Sequence, residues 1–533
     1  ACREYGPALP GLATPARNLS WRGAPWRCTP EPMPSDATRR LIRQRLADEV
    51  GRIDKEAARR IALVYPSPYA VGMSSLGYQL VYRCIQSLPG VACERVFLDD
   101  GGEDPGAEVE GPVSYEALRP LGDFQLLAFS VAYELQIIGI VRMLDAAGIT
   151  AERTRRSERE PFVLMGGPLT FSNPLTLAGY ADAVVLGEAD EIIDFAADAV
   201  LEAPSKAAAL AKLAAHPNLY VPSIHGDSLP AIAACDDSLL PAKSVIRTPH
   251  TELSDMLLIE TERGCSRGCT YCVMRRTTNG GMRIVPKEVI LAEIPADTAK
   301  VGLVGAAVSD HPRIEEIVRT LAERGTRVGL SSLRPDRLGD GFVSVLAAAG
   351  HRTLTTALDG ASQRMRDLIE RRGREQHYLG AARAARAHGI ERLKLYLMVG
   401  LPGETDDDID ECAQFVGELS KIIPVALGIS PFCAKKNTPL DGMPYAGVST
   451  VQRRLERLRR GLRGRAEVRA VSAKWSWVEH VLSQGGEAEG LAVADKDTGL
   501  LDAAEAALLL SNIREGKKIA TAHADAKKTA SVR

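Results

Sequence analysis

Three cysteines, Cys265, Cys269 and Cys272, fall at positions i, i+4 and i+7 of one short polar stretch, Glu262-Arg263-Gly264-Cys265-Ser266-Arg267-Gly268-Cys269-Thr270-Tyr271-Cys272. An apolar run at 256–259 precedes them and reads as a strand. Three thiolates on one loop can hold three corners of a cubane iron–sulfur cluster, and the fourth iron then has no protein ligand. An iron left open in this way can take a small chelating molecule and hand it an electron. Structural zinc sites instead use four closed ligands, usually as paired CxxC knuckles, and no second cysteine cluster stands nearby. Free cysteine also packs as a small hydrophobe, but Arg263, Gly264, Ser266, Arg267 and Gly268 make this stretch polar rather than a packed face. The spacing points to Cys265, Cys269 and Cys272 as metal ligands.

With 533 residues the chain is too long for one core, and two or three domains are expected. Its 66 basic and 68 acidic residues nearly cancel, which gives no electrostatic case for nucleic acid. No apolar run reaches the length of a membrane span. The proline- and arginine-rich first residues lack the apolar core of a signal segment. Ten cysteines, unpatterned outside the 265–272 stretch, fit a reducing cytoplasm better than a disulfide framework.

Residues 1–55 read as an N-terminal extension, irregular at first and then helical behind a Ser35 or Asp36 cap, with Trp21 and Trp26 as anchors. From residue 60, short apolar strands alternate with amphipathic helices, the pattern of a parallel α/β sheet. Strands are expected at 61–65, 126–131, 162–165 and 182–186, with helices from 76 and over 134–147. Gly166-Gly167-Pro168 and Gly187-Glu188 follow two of these strands, and ligands of open α/β sheets sit beyond carboxyl strand ends. The same glycines would also serve simply to turn the chain. Residues 206–250 mix an alanine-rich helix with Pro217, Pro222, Pro230 and Pro241 and read as a surface linker. A second series covers 251–445, with strands expected at 256–260, 301–304, 327–330, 353–357, 394–399 and 425–429. Six βα units, with the cysteine loop after the first, give an open barrel whose chemistry belongs at the carboxyl strand ends. Residues 446–533 begin with a basic helix over 451–463. Its Leu455, Leu458 and Leu462 make one core face and leave the arginines mainly solvated. Trp475 and Trp477, a leucine-rich helix near 501–512 and a basic tail complete a small helical region.

With Tyr271 as the aromatic residue of CxxxCxΦC, the cysteine stretch resembles the signature of the radical S-adenosylmethionine (SAM) enzymes. The resemblance implies a [4Fe–4S] cluster that binds SAM through its open iron and cleaves it reductively, so that a 5′-deoxyadenosyl radical abstracts hydrogen from a substrate. An electron donor such as flavodoxin or ferredoxin is then a partner. Further words follow along the barrel. Asp310 stands after strand two, where family members carry GGE, and caps the next helix in the alternative reading. Ser331 and Ser332 stand after strand three. Residues 357–366 are similar to the family's APEaGSeRLR, with Asp359, Ser362 and Arg366 at its polar positions. Gly400-Leu401-Pro402-Gly403 follows strand five, and 431–439 is similar to PFvPKphTP. The resemblance implies SAM contacts from Tyr271, Asp310, Ser331, Asp359, Ser362, Arg366, Gly400, Pro402 and Gly403. Cys433 would touch substrate or fill a valine-sized gap.

The segment 56–205 resembles the cobalamin-binding domains that precede many radical SAM enzymes. The matching words are Met73-Ser74-Ser75-Leu76-Gly77, Phe129-Ser130 with Tyr133-Glu134, Gly166-Gly167-Pro168 with Asn173-Pro174, and Gly187-Glu188. This implies a doubly wound, flavodoxin- or Rossmann-like fold and cobalamin contacts from Ser74, Leu76, Gly77, Ser130, Tyr133, Glu134, Gly166, Gly167, Pro168, Gly187 and Glu188. None of the nine histidines lies in this segment, so it offers no histidine as lower cobalt ligand. The expected activity is cobalamin-dependent methylation of an unactivated carbon. The alternatives are another radical outcome (cyclisation, ring contraction or sulfur insertion) over a front domain kept as scaffold, or a cluster or cobalamin redox sensor without catalysis. Sulfur-inserting relatives carry three further cluster cysteines in front, and only Cys84 and Cys93 lie between 56 and 200 here. Small molecule, peptide and RNA all stand as substrate classes.

Overall fold

The run Arg59–Pro68 is buried from its third residue to its last, which marks a strand covered on both faces. In the computed structural model, described over residues 34–100, 110–274, 281–331 and 333–493, this run is β1 at the heart of a six-stranded sheet. The other members are β2 (Val91–Leu98), β3 (Leu126–Ser130), β4 (Phe162–Gly166), β5 (Ala183–Val185) and β6 (Leu219–Tyr220). Their order is β2-β1-β3-β4-β5-β6, with β1 to β5 parallel and β6 antiparallel. The winding reverses between β1 and β3, the flavodoxin-like arrangement in which a crevice opens at the carboxyl strand ends. β2 has no counterpart among the expected strands because Glu94 and Arg95 interrupt its apolar run. Both are buried in ion pairs, Arg95 with Glu49 and Glu116 and Glu94 with Arg60.

The 206–250 segment differs from the expected linker. Its helix Lys206–Ala214 packs on the sheet and β6 extends the sheet edge. Bridges from Ala233 to Gly187 and from Lys243 to Ile259 then stitch the chain into the second domain.

That domain holds parallel strands β7 (Leu257–Glu260), β10 (Lys300–Val304), β11 (Arg327–Leu330), β12 (Thr353–Asp359), β13 (Arg392–Val399) and β14 (Val425–Pro431) at the six expected places. A hairpin of β8 (Glu262–Gly264) and β9 (Met282–Ile284) rises from the end of β7. The bridge Leu333↔Thr356 links β11 to β12, so the strands form one open curved wall. Along β13, Leu393, Leu395, Leu397 and Val399 lie buried beneath the helices, while Tyr396, between them, is 45% exposed on the other face. Alternation of this kind follows from the strand's two-residue period and marks an unfilled lumen.

The C-terminal region is not only helical. Residues Ala466–Ala470 form β15, a seventh parallel strand beside β14. Trp475 and Trp477 lie on the helix Ala473–Gln484, where Trp477 stacks on His480 and Val478 and Leu482 enter the core of the front sheet. Asn173 of the front domain donates to the carbonyls of Leu482, Ser483 and Gly485 at 2.9, 3.1 and 3.0 Å. Among the described residues no helix is long and apolar enough to cross a membrane. Trp21, Trp26, Ser332, the 501–512 helix and the basic tail lie outside the described residues.

Because Asn173 is fully buried and serves three carbonyls, Asn173→Ala leaves polar groups unsatisfied at a cost of about 1–3 kcal/mol. The expected outcome is a lower first midpoint in thermal unfolding and faster proteolysis near residues 482–490, checked by calorimetry and limited digestion.

Candidate functional site

The cysteine loop leaves the barrel through β8 and returns through β9, whose antiparallel pairing sets Arg263 opposite Arg283. Gly264, with φ of 96°, turns the chain in a conformation open to glycine at little cost. Cys269 is buried, and Cys265 and Cys272 are half-buried. The Thr270 amide donates to Ile369 O at 3.1 Å, and the Thr270 carbonyl accepts from the Leu440 amide at 3.3 Å. Segments following β12 and β14 thus pin the loop from two sides. Burial pushes the Cys265 thiol up and the Cys272 thiol up to about 11. A donor set of three sulfurs with no imidazole suits an iron–sulfur cluster with one open corner, and the residues fit that group. A separate grouping of Glu188, Asp190 and Cys235 holds arginine, not an ion: Arg263 reaches Glu188 at 3.0 Å, Asp190 at 3.3 Å and Cys235 Sγ at 3.1 Å.

At the barrel mouth the Tyr271 hydroxyl donates to Asp359 Oδ2 at 2.8 Å, and Arg371 Nε pairs with the same oxygen at 2.6 Å. Asp359 has φ of 60° at the register shift where β12 parts from β13. The Tyr271 ring packs on Met365, Ile369, Leu401 and Phe432. Burial, with Asp359 alongside, holds the Tyr271 phenol well above its ordinary range, and burial also raises Asp359. Glu262 lies inside, beneath the turn after β10. Its Oε1 accepts from the Ala307 amide at 2.9 Å, its Oε2 from the Thr261 hydroxyl, and a side-chain carbon at Gly305 would come within 1.9 Å of Oε1. Burial pushes the Glu262 carboxyl up to about 7.

Several expected SAM contacts sit elsewhere. The Asp310 carboxylate is enclosed by Arg334 at 2.9 Å, Arg267 at 3.1 Å, Arg337 at 3.4 Å and Ser266 Oγ at 3.2 Å. It ties the cysteine loop to the turn after β11 and does not cap the helix Ile314–Glu323, whose N-cap is Arg313. Ser362 caps the helix Gln363–Leu368 and donates to Asp408 Oδ1 at 2.6 Å. Arg366 is fully buried in the outer helix layer, 3.5 Å from Glu375 and over the Phe415 ring. Spacing along a helix does not disclose which side faces the mouth, and Arg371, hidden in an ordinary-looking charged run, is the guanidinium found there. Ser331 bridges to Gly305 O at 3.0 Å on the mouth. The turn Gly400-Leu401-Pro402-Gly403 closes on itself, the Gly400 amide donating to Glu404 Oε2 at 2.7 Å, and reaches the site through Leu401 beneath Tyr271. Cys433 lies 3.0 Å from Ser476 O, against the C-terminal helix.

The carboxyl edge of the front sheet faces this mouth. Glu134, buried, accepts from Lys435 Nζ at 2.7 Å and from Ser483 Oγ at 2.8 Å. Asn437 Nδ2 donates to Ser172 O at 2.7 Å. Glu188 joins Arg263 and Arg283, so both acids close the front domain onto the barrel. Ser74 donates to Ala70 O at 2.7 Å, and Leu76 and Gly77 open the helix Leu76–Ser87. Gly167 and Gly187 have φ of 106° and 92°. Side-chain carbons there would come within 2.6 Å of Val131 O and 2.5 Å of Ala233 O. Backbone crowding inside the protein therefore explains both. Ser130, Tyr133, Gly166 and Pro168 remain along the edge at the β1/β3 reversal and the adjoining β4, where a ligand of this fold belongs.

Residues 259–416, which include all three cysteines, match the model of the radical SAM superfamily, and residues 77–222 match that of the N-terminal region of radical SAM proteins. The chain carries radical SAM domains. A radical SAM domain implies a [4Fe–4S] cluster and SAM. The chain is 23% identical over 395 residues to the uncharacterised protein MJ0966 of Methanocaldococcus jannaschii, covering 72% of this chain and 79% of that one. It is 26% identical over 231 residues to the ribosomal protein uS12 methylthiotransferase RimO of Geobacter sulfurreducens, covering 39% of this chain and 49% of that one. It is 29% identical over 172 residues to the tRNA-2-methylthio-N(6)-dimethylallyladenosine synthase of Thermus thermophilus, covering 30% and 37%. The chain thus spans half or less of those two methylthio enzymes. The solved structure of the cobalamin-dependent SAM radical enzyme OxsB with aqua-cobalamin aligns over 75% of this chain and 56% of that one, at 13% identity and a TM-score of 0.46.

The raised carboxyl of Glu262 has a stability consequence. A carboxyl whose folded pKa is about 7 against an ordinary 4.5 favours folding most below 4.5, and that contribution is lost as pH rises toward 7. Glu404 shares the window, also pushed up to about 7 by burial. In Glu262→Gln the decline in unfolding midpoint between pH 4.5 and 7 is expected to become shallower without vanishing, as read by thermal melts across that range.

Proposed function

We propose that this chain uses its cluster loop to cleave SAM reductively and take a hydrogen atom from an unactivated carbon of its substrate, with methylation of that carbon as the outcome. The observation that carries the reading is the position of the three-cysteine loop: it is pinned at a barrel mouth, beside Tyr271, Asp359 and Arg371, and roofed by the carboxyl edge of the front sheet. The cluster, when bound, supplies the electron for SAM cleavage, and cobalamin, when bound at the edge around Ser130, Tyr133, Gly166 and Pro168, supplies a methyl carrier. The chain's own part is placement and exclusion of water. Asp359, fixed by Tyr271 and Arg371, presents a buried polar surface that does not need to reorganise. Leu401, Phe432 and Met365 make the apolar wall behind Tyr271.

Methylthio transfer, the activity named for two similar proteins, needs sulfur delivered beside the barrel. Between residues 56 and 200 the only cysteines are Cys84 and Cys93, too few for a second cluster held by three thiolates of its own. Cys93 is buried within β2, and Cys84 lies on the helix Leu76–Ser87. Methyl transfer is therefore favoured over sulfur insertion.

The test is anaerobic. Protein reconstituted with iron and sulfide is given SAM, dithionite and hydroxocobalamin, alongside Cys269→Ala. The expected result is 5′-deoxyadenosine from the parent chain and none above background from the variant, with cobalamin retained near one per chain through gel filtration. Deoxyadenosine without retained cobalamin removes the methyl-carrier part of the reading. An intact cluster that yields no deoxyadenosine overturns the enzyme reading itself.

A further inference from the structure

Arg263 and Arg283 stand directly opposite each other across the neck of the hairpin that carries the cysteine loop. Like charges in facing strand positions destabilise the pair. One carboxylate sits between them, and it comes from the other domain. Glu188, at the turn after β5, places Oε2 3.0 Å from Arg263 and Oε1 against Arg283, with one oxygen on each strand of the neck. Its side chain is 6% exposed, and Oε2 also accepts from the Cys235 amide at 2.9 Å. The remaining acids are arranged unevenly. Arg263 also has Glu260 at 2.7 Å and Asp190 at 3.3 Å, whereas among the described acids Arg283 has, besides Glu188, Asp237, which is 71% exposed, and it donates to Cys235 O at 2.7 Å. Among the described residues Glu188 is the acid that touches both strands.

We propose that Glu188 is a positioning residue of the iron–sulfur site, a staple from the front domain that fixes the neck of the cysteine loop and so the spacing of the three thiolates. The proposal rests on the cluster reading of Cys265, Cys269 and Cys272. Arg263 lies two residues before Cys265, and β9 brings back the other end of the loop. A neck held closed keeps the entry and exit of the loop at fixed separation, and the loop's pins at Ile369 and Leu440 complete the frame. The front domain is then part of the cluster site whether or not it carries a cofactor of its own.

Charge at the neck gives the proposal its test. Glu188→Gln keeps the shape and leaves two guanidinium groups facing each other. Adding Arg283→Gln removes that opposition. The parent, E188Q and the E188Q/R283Q double variant are reconstituted anaerobically as full chains. Iron and sulfide per chain, iron loss to bathophenanthroline, and the EPR signal of the dithionite-reduced cluster with and without SAM are then recorded. Circular dichroism verifies the fold of each. E188Q is expected to hold iron roughly tenfold more weakly, the scale for supports behind metal ligands, and to lose the SAM-dependent change in its EPR signal. The double variant is expected to recover both. An E188Q protein with parental iron retention and EPR overturns the proposal, as does a double variant no better than the single. If E188Q does not yield soluble chain, the double variant decides: soluble with the parental signal supports the staple, soluble without iron overturns it. A parent chain that assembles no cluster sinks the cluster reading first, an outcome distinct from each of these.

Discussion

Two arginines held face to face by one distant carboxylate tie the two halves of this molecule together. The contact is between domains, is almost fully buried, and lies at the root of the loop that bears the cysteines. Removing charges from water is costly unless each finds its partner in good geometry. The neck built on Arg263 and Arg283 therefore draws its shared counter-charge from the docked front sheet. Although burial works against it, bonding to Arg283 and the Cys235 amide holds the Glu188 carboxyl below its ordinary range. It remains an anion where an anion is required.

The same logic recurs on the opposite side of the mouth. Lys435 leaves the end of β14 and meets Glu134 of the front domain at 2.7 Å and Glu479 of the C-terminal helix at 2.8 Å. Three parts of the chain share one ammonium. Against burial, the two carboxylates keep the lysine charged and raise it well above its usual range. The neighbouring His480, buried and facing that cation, is pushed down to about 4 and stays neutral. Between these two ionic latches sit Tyr271, Asp359 and Arg371, a third buried pair with its hydrogen-bond partner. Polar groups fixed in this way cannot rotate to follow a changing charge, which is what a site that must hold a reactive species without side reactions requires.

Much of the architecture was legible because front-sheet strands buried on both faces leave continuous apolar runs, and barrel strands buried on their helix face leave alternating ones. The exceptions have physical causes. β2 carries Glu94 and Arg95 inside its run, and their ion pairs neutralise what a one-dimensional reading takes for a surface. β15 is short and half-exposed, so its residues carry little pattern. The cysteine loop was legible because thiolate spacing is set by chemistry local to the chain. The polar contacts were not, because their partners are remote: Glu134 meets Lys435 and Ser483, and Glu188 meets Arg263 and Arg283, at separations no motif encodes. Arg366 shows the related failure for a helix. Its position in a word is plain, but whether it faces the mouth or the helix layer depends on how Phe415 and Glu375 pack.

These latches also bear on how the site is assembled. The helix Ala473–Gln484 contributes Val478 and Leu482 to the core of the front sheet, while Trp477 and His480 lie against Tyr445 of the barrel. Asn173 holds the carbonyls at its end, and Tyr180 donates to Gly490 O at 2.6 Å just beyond. The last described segment of the chain is therefore shared between a core that begins at β1 and a barrel that begins at β7. Such long-range contacts form late, since chain closure precedes their reward. The mouth is then enclosed only after both domains have folded and this helix has docked.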